Sequence, residues 1–192
     1  GVEFRNHGEI VQSVTTSDPN LWKIPLGADE VRYTVKPSRG NFSVNLRARE
    51  DHTFVNGPAV FGWFPGDEKN KQRLTVKLLE GEAIYSTLDP VESSSTGATF
   101  EAFNYDEMID APFVLGTKIQ AQHFTVRGKP MSIVGYNKLE GADLASYVRA
   151  GTAAAETCYE IFGELPFPRY TFYCDFGGGG GGLEHLNSTR LG

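Results

Sequence analysis

Glu184 and His185 follow closely on six consecutive glycines, Gly177 to Gly182, with Leu183 between. A carboxylate can hold an ammonium ion. Glycine lets a second backbone come close because no Cβ stands in the way. Together they suit a grip on the amino end of a peptide, with Gly181 and Gly182 along the bound backbone. At about 4 Å such a pair is worth on the order of 4 kcal/mol in an intermediate dielectric, before desolvation is subtracted. Plainer readings stand beside this one. The glycine run reads equally as a flexible linker, Glu184 as an exposed carboxylate opening a helix, and His185 as a structural hydrogen-bonding residue.

Other chemistries fit less well. The glycines satisfy the spacing of a dinucleotide loop, but that site needs a helix opening in the loop and an acid about 20 residues on. No Gly-Lys-Ser/Thr follows, so a phosphate loop is equally weak. His7, His52 and His123 are scattered, and H-E-x-x-H occurs nowhere, so the chain contains no recognisable zinc site and no catalytic residue is assigned within it. Asp106, Glu107 and Asp110 crowd five residues beside Pro112. Paired carboxylates can do acid–base work, but a solvated turn joining two strands explains them better. There is no G-x-S-x-G elbow.

The bulk composition narrows the partners. With 192 residues, 40% hydrophobic content, 13 Phe and 8 Tyr, the chain can pack a core and form one or two domains. A net charge of −6 without clustered Lys or Arg argues against nucleic acid. No apolar stretch reaches the length of a membrane-spanning helix. Two cysteines, Cys158 and Cys174, match no zinc spacing and read better as buried thiols than as a bridge. The chain opens on Gly1 rather than Met, as expected of a processed or excised segment.

The elements that must position Glu184 come in two styles. Val31–Val35, Phe42–Leu46, Leu74–Leu78 and His123–Val126 alternate apolar and polar residues, the period of strands with one buried face. Turn-forming residues separate them, at Lys36–Gly40, Asn56–Pro58, Phe64–Asp67 and Arg127–Pro130. Many short strands of this kind suggest a sandwich or open barrel. After Asn137 the period becomes helical. Leu144, Tyr147, Val148, Ala154, Ala155, Cys158, Ile161 and Phe162 are expected on one face, with Asp143 as N-cap and Gly163, Pro166 and Pro168 as stops. A strand over Tyr170–Phe176 then leads into the glycines. The composition shift places a domain boundary between residues 138 and 139.

Two stretches carry a family resemblance. Tyr105-Asp106-Glu107-Met108-Ile109-Asp110-Ala111-Pro112-Phe113 looks like Tyr-Asp-Glu-Leu-Val-Asp-Ser-Pro-Phe in the N-terminal β domain of the glycyl aminopeptidases. Gly181-Gly182-Leu183-Glu184-His185-Leu186-Asn187-Ser188-Thr189 looks like their Gly-Gly-Leu-Glu-His-Arg-Asn-Ser-Thr. The chain thus resembles these zinc metallopeptidases, which are relatives of the alanyl-type aminopeptidases, with weaker similarity back to Trp22.

The resemblance implies a mainly β fold with a smaller α/β part. Residues 1–138 would be a β-sandwich-like domain lacking its first strands. Residues 139–192 would hold the first helix and strands of a thermolysin-like catalytic domain. It implies a parent enzyme that removes small N-terminal residues, Gly or Ala, and binds zinc outside this segment. Glu184, Gly181, Gly182 and His185 would bind the peptide's amino end, and the partners would be that peptide and the rest of the catalytic domain. Periplasmic or secreted residence is implied likewise. The segment alone is expected to be inactive. Residue 186 departs from the family pattern, being Leu rather than Arg. The alternative from another class is a non-catalytic β-sandwich binding module with a flexible Gly-rich tail.

Overall fold

A computed structural model describes residues 2–11, 16–18, 20–37 and 46–192. Two compact units emerge, Gly1–Lys36 and Pro37–Gly192. Of the expected segments, most of Phe42–Leu46 and the Ser38–Gly40 part of one turn lie outside the described residues.

The first unit holds β1 (Val2–Asn6), β2 (Glu9–Val11) and β3 (Glu30–Tyr33), in an antiparallel sheet of order β2-β1-β3. His7 and Gly8 turn the first hairpin with positive φ of 49° and 88°. Phe4 is its buried centre, and the Trp22 and Tyr33 rings meet at 5.0 Å.

The second unit carries β4 (Leu46–Ala48), β5 (His52–Val55), a 3-10 turn at Gly57–Ala59, β6 (Gln72–Lys77), β7 (Ala83–Ser86), β8 (Pro90–Ser94) and β9 (Gly97–Ala102). Next come α1 (Tyr105–Ile109), β10 (Phe113–Gly116), β11 (Ile119–Val126), β12 (Lys129–Tyr136), α2 (Leu144–Phe162), β13 (Tyr170–Asp175), β14 (Gly182–His185) and β15 (Ser188–Leu191). They form sheets of order β4-β5-β10-β7, β6-β9-β8 and β11-β12-β13-β15-β14. The fold is mainly β with a smaller α/β part, as expected from the sequence.

The last sheet positions the glycine motif. Arg127 and Gly128 close the β11–β12 hairpin with φ of 49° and 76°, the left-handed pair that a two-residue hairpin turn demands. β12, α2 and β13 form a parallel crossover, and β15 adds parallel to β13. One face of this sheet meets β5 and β10 through Phe54, Val114, Val134, Tyr136 and Tyr173. The other face carries α2.

The helix begins and ends where the sequence signals say. The Asp143 side chain accepts from the Ser146 N–H, and Gly163 closes it at φ 79°. Its buried stripe, however, is Leu144, Gly151 and Ala155. The sheet needs only a narrow seam, and a Cβ at Gly151 would stand 3.3 Å from both Phe124 and Phe172. The glycine that weakens an isolated helix therefore lets this one press onto its sheet. Tyr147, Ala154, Cys158, Ile161 and Phe162 fall off that seam and are exposed.

The cysteines need the same correction. Both are free, but only Cys174 is buried. Burial pushes the Cys174 thiol up to about 12. The thiolate is the reactive form, so a thiol reagent at pH 8 is expected to modify one cysteine, Cys158, in the native chain and two after denaturation. Mass counting of the adducts checks this.

The composition shift at residue 138 does not coincide with a sheet boundary. β12 and β13 lie on either side of it and are hydrogen-bonded neighbours. What changes there is the period, because the chain leaves a strand for the helix of a crossover.

Candidate functional site at the edge strand

The glycine run folds as a turn and strand rather than a loose tail. Gly180 and Gly181 take φ of 83° and 112°, a region that disfavours any side chain. A Cβ on Gly178 would come 2.8 Å from the Gly192 Cα. Gly182 then enters β14, which pairs antiparallel with β15 in the register Gly182↔Leu191, Glu184↔Thr189. The residues after the glycines are a strand and not a helix, so the phosphate-loop geometry is not met.

β14 ends the sheet order, so its outer edge is unpaired among the described residues. Gly192 donates to the Gly181 carbonyl at 3.0 Å. In an antiparallel ladder hydrogen-bonded and non-hydrogen-bonded pairs alternate. Gly182 and Glu184 therefore turn their backbone N–H and C=O outward. Gly181, Gly182 and Glu184 are all exposed. A Cβ on Gly182 would meet only ordinary contacts, the nearest 3.7 Å away. An extended peptide can add to such an edge through main-chain hydrogen bonds.

Glu184 is on a strand, not at a helix start. Its carboxylate has no hydrogen bond or ion pair among the described residues. Its register through Thr189 to Phe172 puts it on the face that α2 covers farther along the sheet. Tyr170 is its electrostatic neighbour. The Tyr170 hydroxyl is pushed up first by burial, then by the negative charges of Cys158 and Glu184.

His185 faces the opposite way. Its side chain is 6% exposed, with Nδ1 3.0 Å from the Asp110 carboxylate. The carboxylate also accepts from the Leu186 N–H at 2.6 Å. The structure thus separates the four expected residues. Gly181, Gly182 and Glu184 share an exposed edge, while His185 is turned inward and held by Asp110.

The crowded carboxylates are a short helix rather than a solvated turn. Asn104 caps it by accepting from the Glu107 N–H at 2.8 Å, and Glu107 accepts from the Phe103 N–H at 2.6 Å. The Glu107 side chain thus reaches back past the N-cap to the residue before it, a variant of the capping box that ties down the helix start. Asp110 follows the helix and reaches the edge hairpin.

Sequence reasoning missed a buried polar cluster behind the motif. Arg190 is fully buried, its Nη2 donating to Asp175 at 2.7 Å and its Nε to the Tyr136 hydroxyl at 2.9 Å. Asn137 donates to the other Asp175 oxygen at 2.7 Å, and Arg47 stands 3.4 Å away. The Arg190 guanidinium also lies 4.8 Å from the Phe54 ring centre. Burial dominates in raising the Tyr136 hydroxyl above its ordinary range. One signal was legible in the sequence: Asp175 ends an apolar strand, where a buried charge needs a partner.

A cavity of about 380 Å³ lies at the starting ends of β12 and β13, lined in part by His123, Ser132, Arg169 and Tyr170. Its charged groups are already engaged. Arg169 pairs with Asp89 at 2.5 Å, and His123 Nδ1 is 2.8 Å from Ser132 Oγ. Glu184, away from this cavity on the edge strand, has no such partner among the described residues. No three His, Cys, Asp or Glu side chains converge among the described residues, so these residues do not fit a zinc ion.

Residues 1–117 match the family profile described as the Peptidase M61 N-terminal domain. The chain belongs to that family. The M61 match ends just before Ile119 opens β11, so the sheet bearing Glu184 follows the matched residues. No curated protein sequence matches the chain. Among solved structures, all of it aligns with an aminopeptidase N family protein from Idiomarina loihiensis at TM-score 0.77 and 22% identity, over 33% of that chain. All of it also aligns with a two-domain M1 zinc metallopeptidase, a point mutant bound to L-tryptophan, at TM-score 0.56 and 13% identity, over 51% of that chain. These likenesses establish the fold of this M61 segment. It spans about a third and about half of the two chains.

Proposed function

We propose that this chain is the peptide-gripping segment of a zinc-dependent metallo-aminopeptidase of the glycyl type. Glu184 would hold the free amine, and the outward groups of Gly182 and Glu184 would pair with the peptide backbone. Membership of the M61 family supports a peptidase. The observation that carries the reading is an unpaired carboxylate on an exposed, glycine-flanked sheet edge. Binding the amine there makes the cut an exo-cleavage, and the proposed Gly and Ala preference follows from the resemblance to the glycyl aminopeptidases. The β-rich part up to about residue 138 would be the accessory domain, and the following residues would open the catalytic one. Zinc and its ligands belong to the rest of the parent polypeptide in this reading. No chemical step is assigned to the segment itself.

In the full-length parent enzyme, Glu184→Gln is expected to lower kcat/KM for Gly- and Ala-amide substrates at least tenfold, about 1.4 kcal/mol. Thermal stability should not move, because the side chain is exposed and unpaired. Steady-state kinetics beside a melting curve check both. Unchanged kinetics would favour a non-catalytic β-sandwich module.

A further inference from the structure

We infer that Asp110 is a positioning residue for this edge, an assignment that rests on the amine-binding reading of Glu184. Among the described residues β14 has a neighbour on one side only, β15. At its start it is tied by the hydrogen bond from Gly192 to Gly181. At its other end the tie comes from outside the sheet. Asp110 places one oxygen 3.0 Å from His185 Nδ1 and accepts the Leu186 N–H on the other at 2.6 Å. His185 adjoins Glu184, so this clamp fixes the residue beside the amine-binding acid.

Asp110 is itself held firmly. Its own N–H donates to Asp106 at 3.0 Å, closing α1. The Asn104 and Glu107 side-chain bonds fix the other end of that helix, and Met108 is buried beneath it. The Ile109 backbone is so close to Gly57 that a Cβ there would overlap it. Two residues on, the Pro112 carbonyl accepts from the Tyr173 hydroxyl at 3.0 Å. A rigid element of one sheet system therefore reaches across and pins the free hairpin of another. A carboxylate suits this place, because one oxygen meets the imidazole nitrogen while the other accepts the backbone N–H. Asp110 touches neither the proposed amine nor the backbone edge, so it acts only through the hairpin.

The test is a double-mutant cycle in the full-length parent enzyme, with Asp110→Ala, Glu184→Gln and both together. Asp110→Ala should raise KM for Gly- and Ala-amide substrates about three- to tenfold, with a smaller change in kcat. In the Glu184→Gln background the same substitution should cost little more, because the acid it positions is gone. Equal losses in both backgrounds would overturn the assignment and leave Asp110 a general structural residue. Amide hydrogen exchange over residues 183–189 supplies an independent readout. It should accelerate in Asp110→Ala, led by Leu186, while exchange in β12 stays as it was. Unchanged exchange in the hairpin also overturns the clamp. If Glu184→Gln alone leaves kinetics untouched, the amine-binding reading falls. In that event accelerated exchange still establishes the clamp, and unaltered exchange removes it too.

Discussion

Arg190→Ala is expected to cost about 3–5 kcal/mol of folding stability, because it removes one partner of a fully buried ion pair. Asp175 would keep Asn137 at 2.7 Å and the more distant Arg47 at 3.4 Å. Neither replaces a guanidinium at 2.7 Å in a site from which water is excluded. The Tyr136 hydroxyl would lose its donor at 2.9 Å. The Phe54 ring would lose the cation above it. Urea denaturation of the purified chain reads the loss as a lower midpoint, and a melting curve as a fall of roughly 2–4 °C per kcal/mol. The pair Arg190→Met with Asp175→Leu should lose less than Arg190→Ala, because no uncompensated charge remains in the core. A change under about 1 kcal/mol for Arg190→Ala would mean the site admits water and the ion pair is not buried in solution.

Local signals in the sequence carried the elements well. Alternation found β6 within two residues, and Asp143 with Gly163 bracketed α2 because capping is a matter of near neighbours. The edge strand was less legible, because the glycines read equally as a linker and the positive φ of Gly180 and Gly181 belongs to the folded chain. What failed depended on partners far along the chain. The helix reads as one broad apolar face, yet the sheet takes a seam centred on Gly151 and leaves Cys158 exposed. Asp110 reads as one of three solvated acids until folding brings His185 to it across 75 positions. Arg190 lacks any local pattern, because its partners Asp175 and Tyr136 lie on neighbouring strands of a sheet whose order no spacing reveals. Period marks where a strand becomes a helix, but only strand pairing tells which sheet that helix serves.

The glycine run provides the sharpest contrast between a folded edge and a loose tail. Gly177→Ala is expected to destabilise the chain by about 1–3 kcal/mol, the range for an atom forced into packed structure. A Cβ at that position would overlap the Asn137 side-chain amide. Asn137 has little freedom to retreat. Its backbone takes φ 60°, and its amide holds Asp175 at 2.7 Å. Displacing it would loosen the carboxylate that anchors Arg190, so the damage should spread into the buried cluster. Gly179→Ala, two residues on, meets nothing within 4 Å. That change should stay within about 0.5 kcal/mol. Denaturation midpoints of the two variants, measured side by side, separate the cases. A linker would accept alanine equally at both positions, whereas a turn wrapped against Asn137 accepts it only at the second.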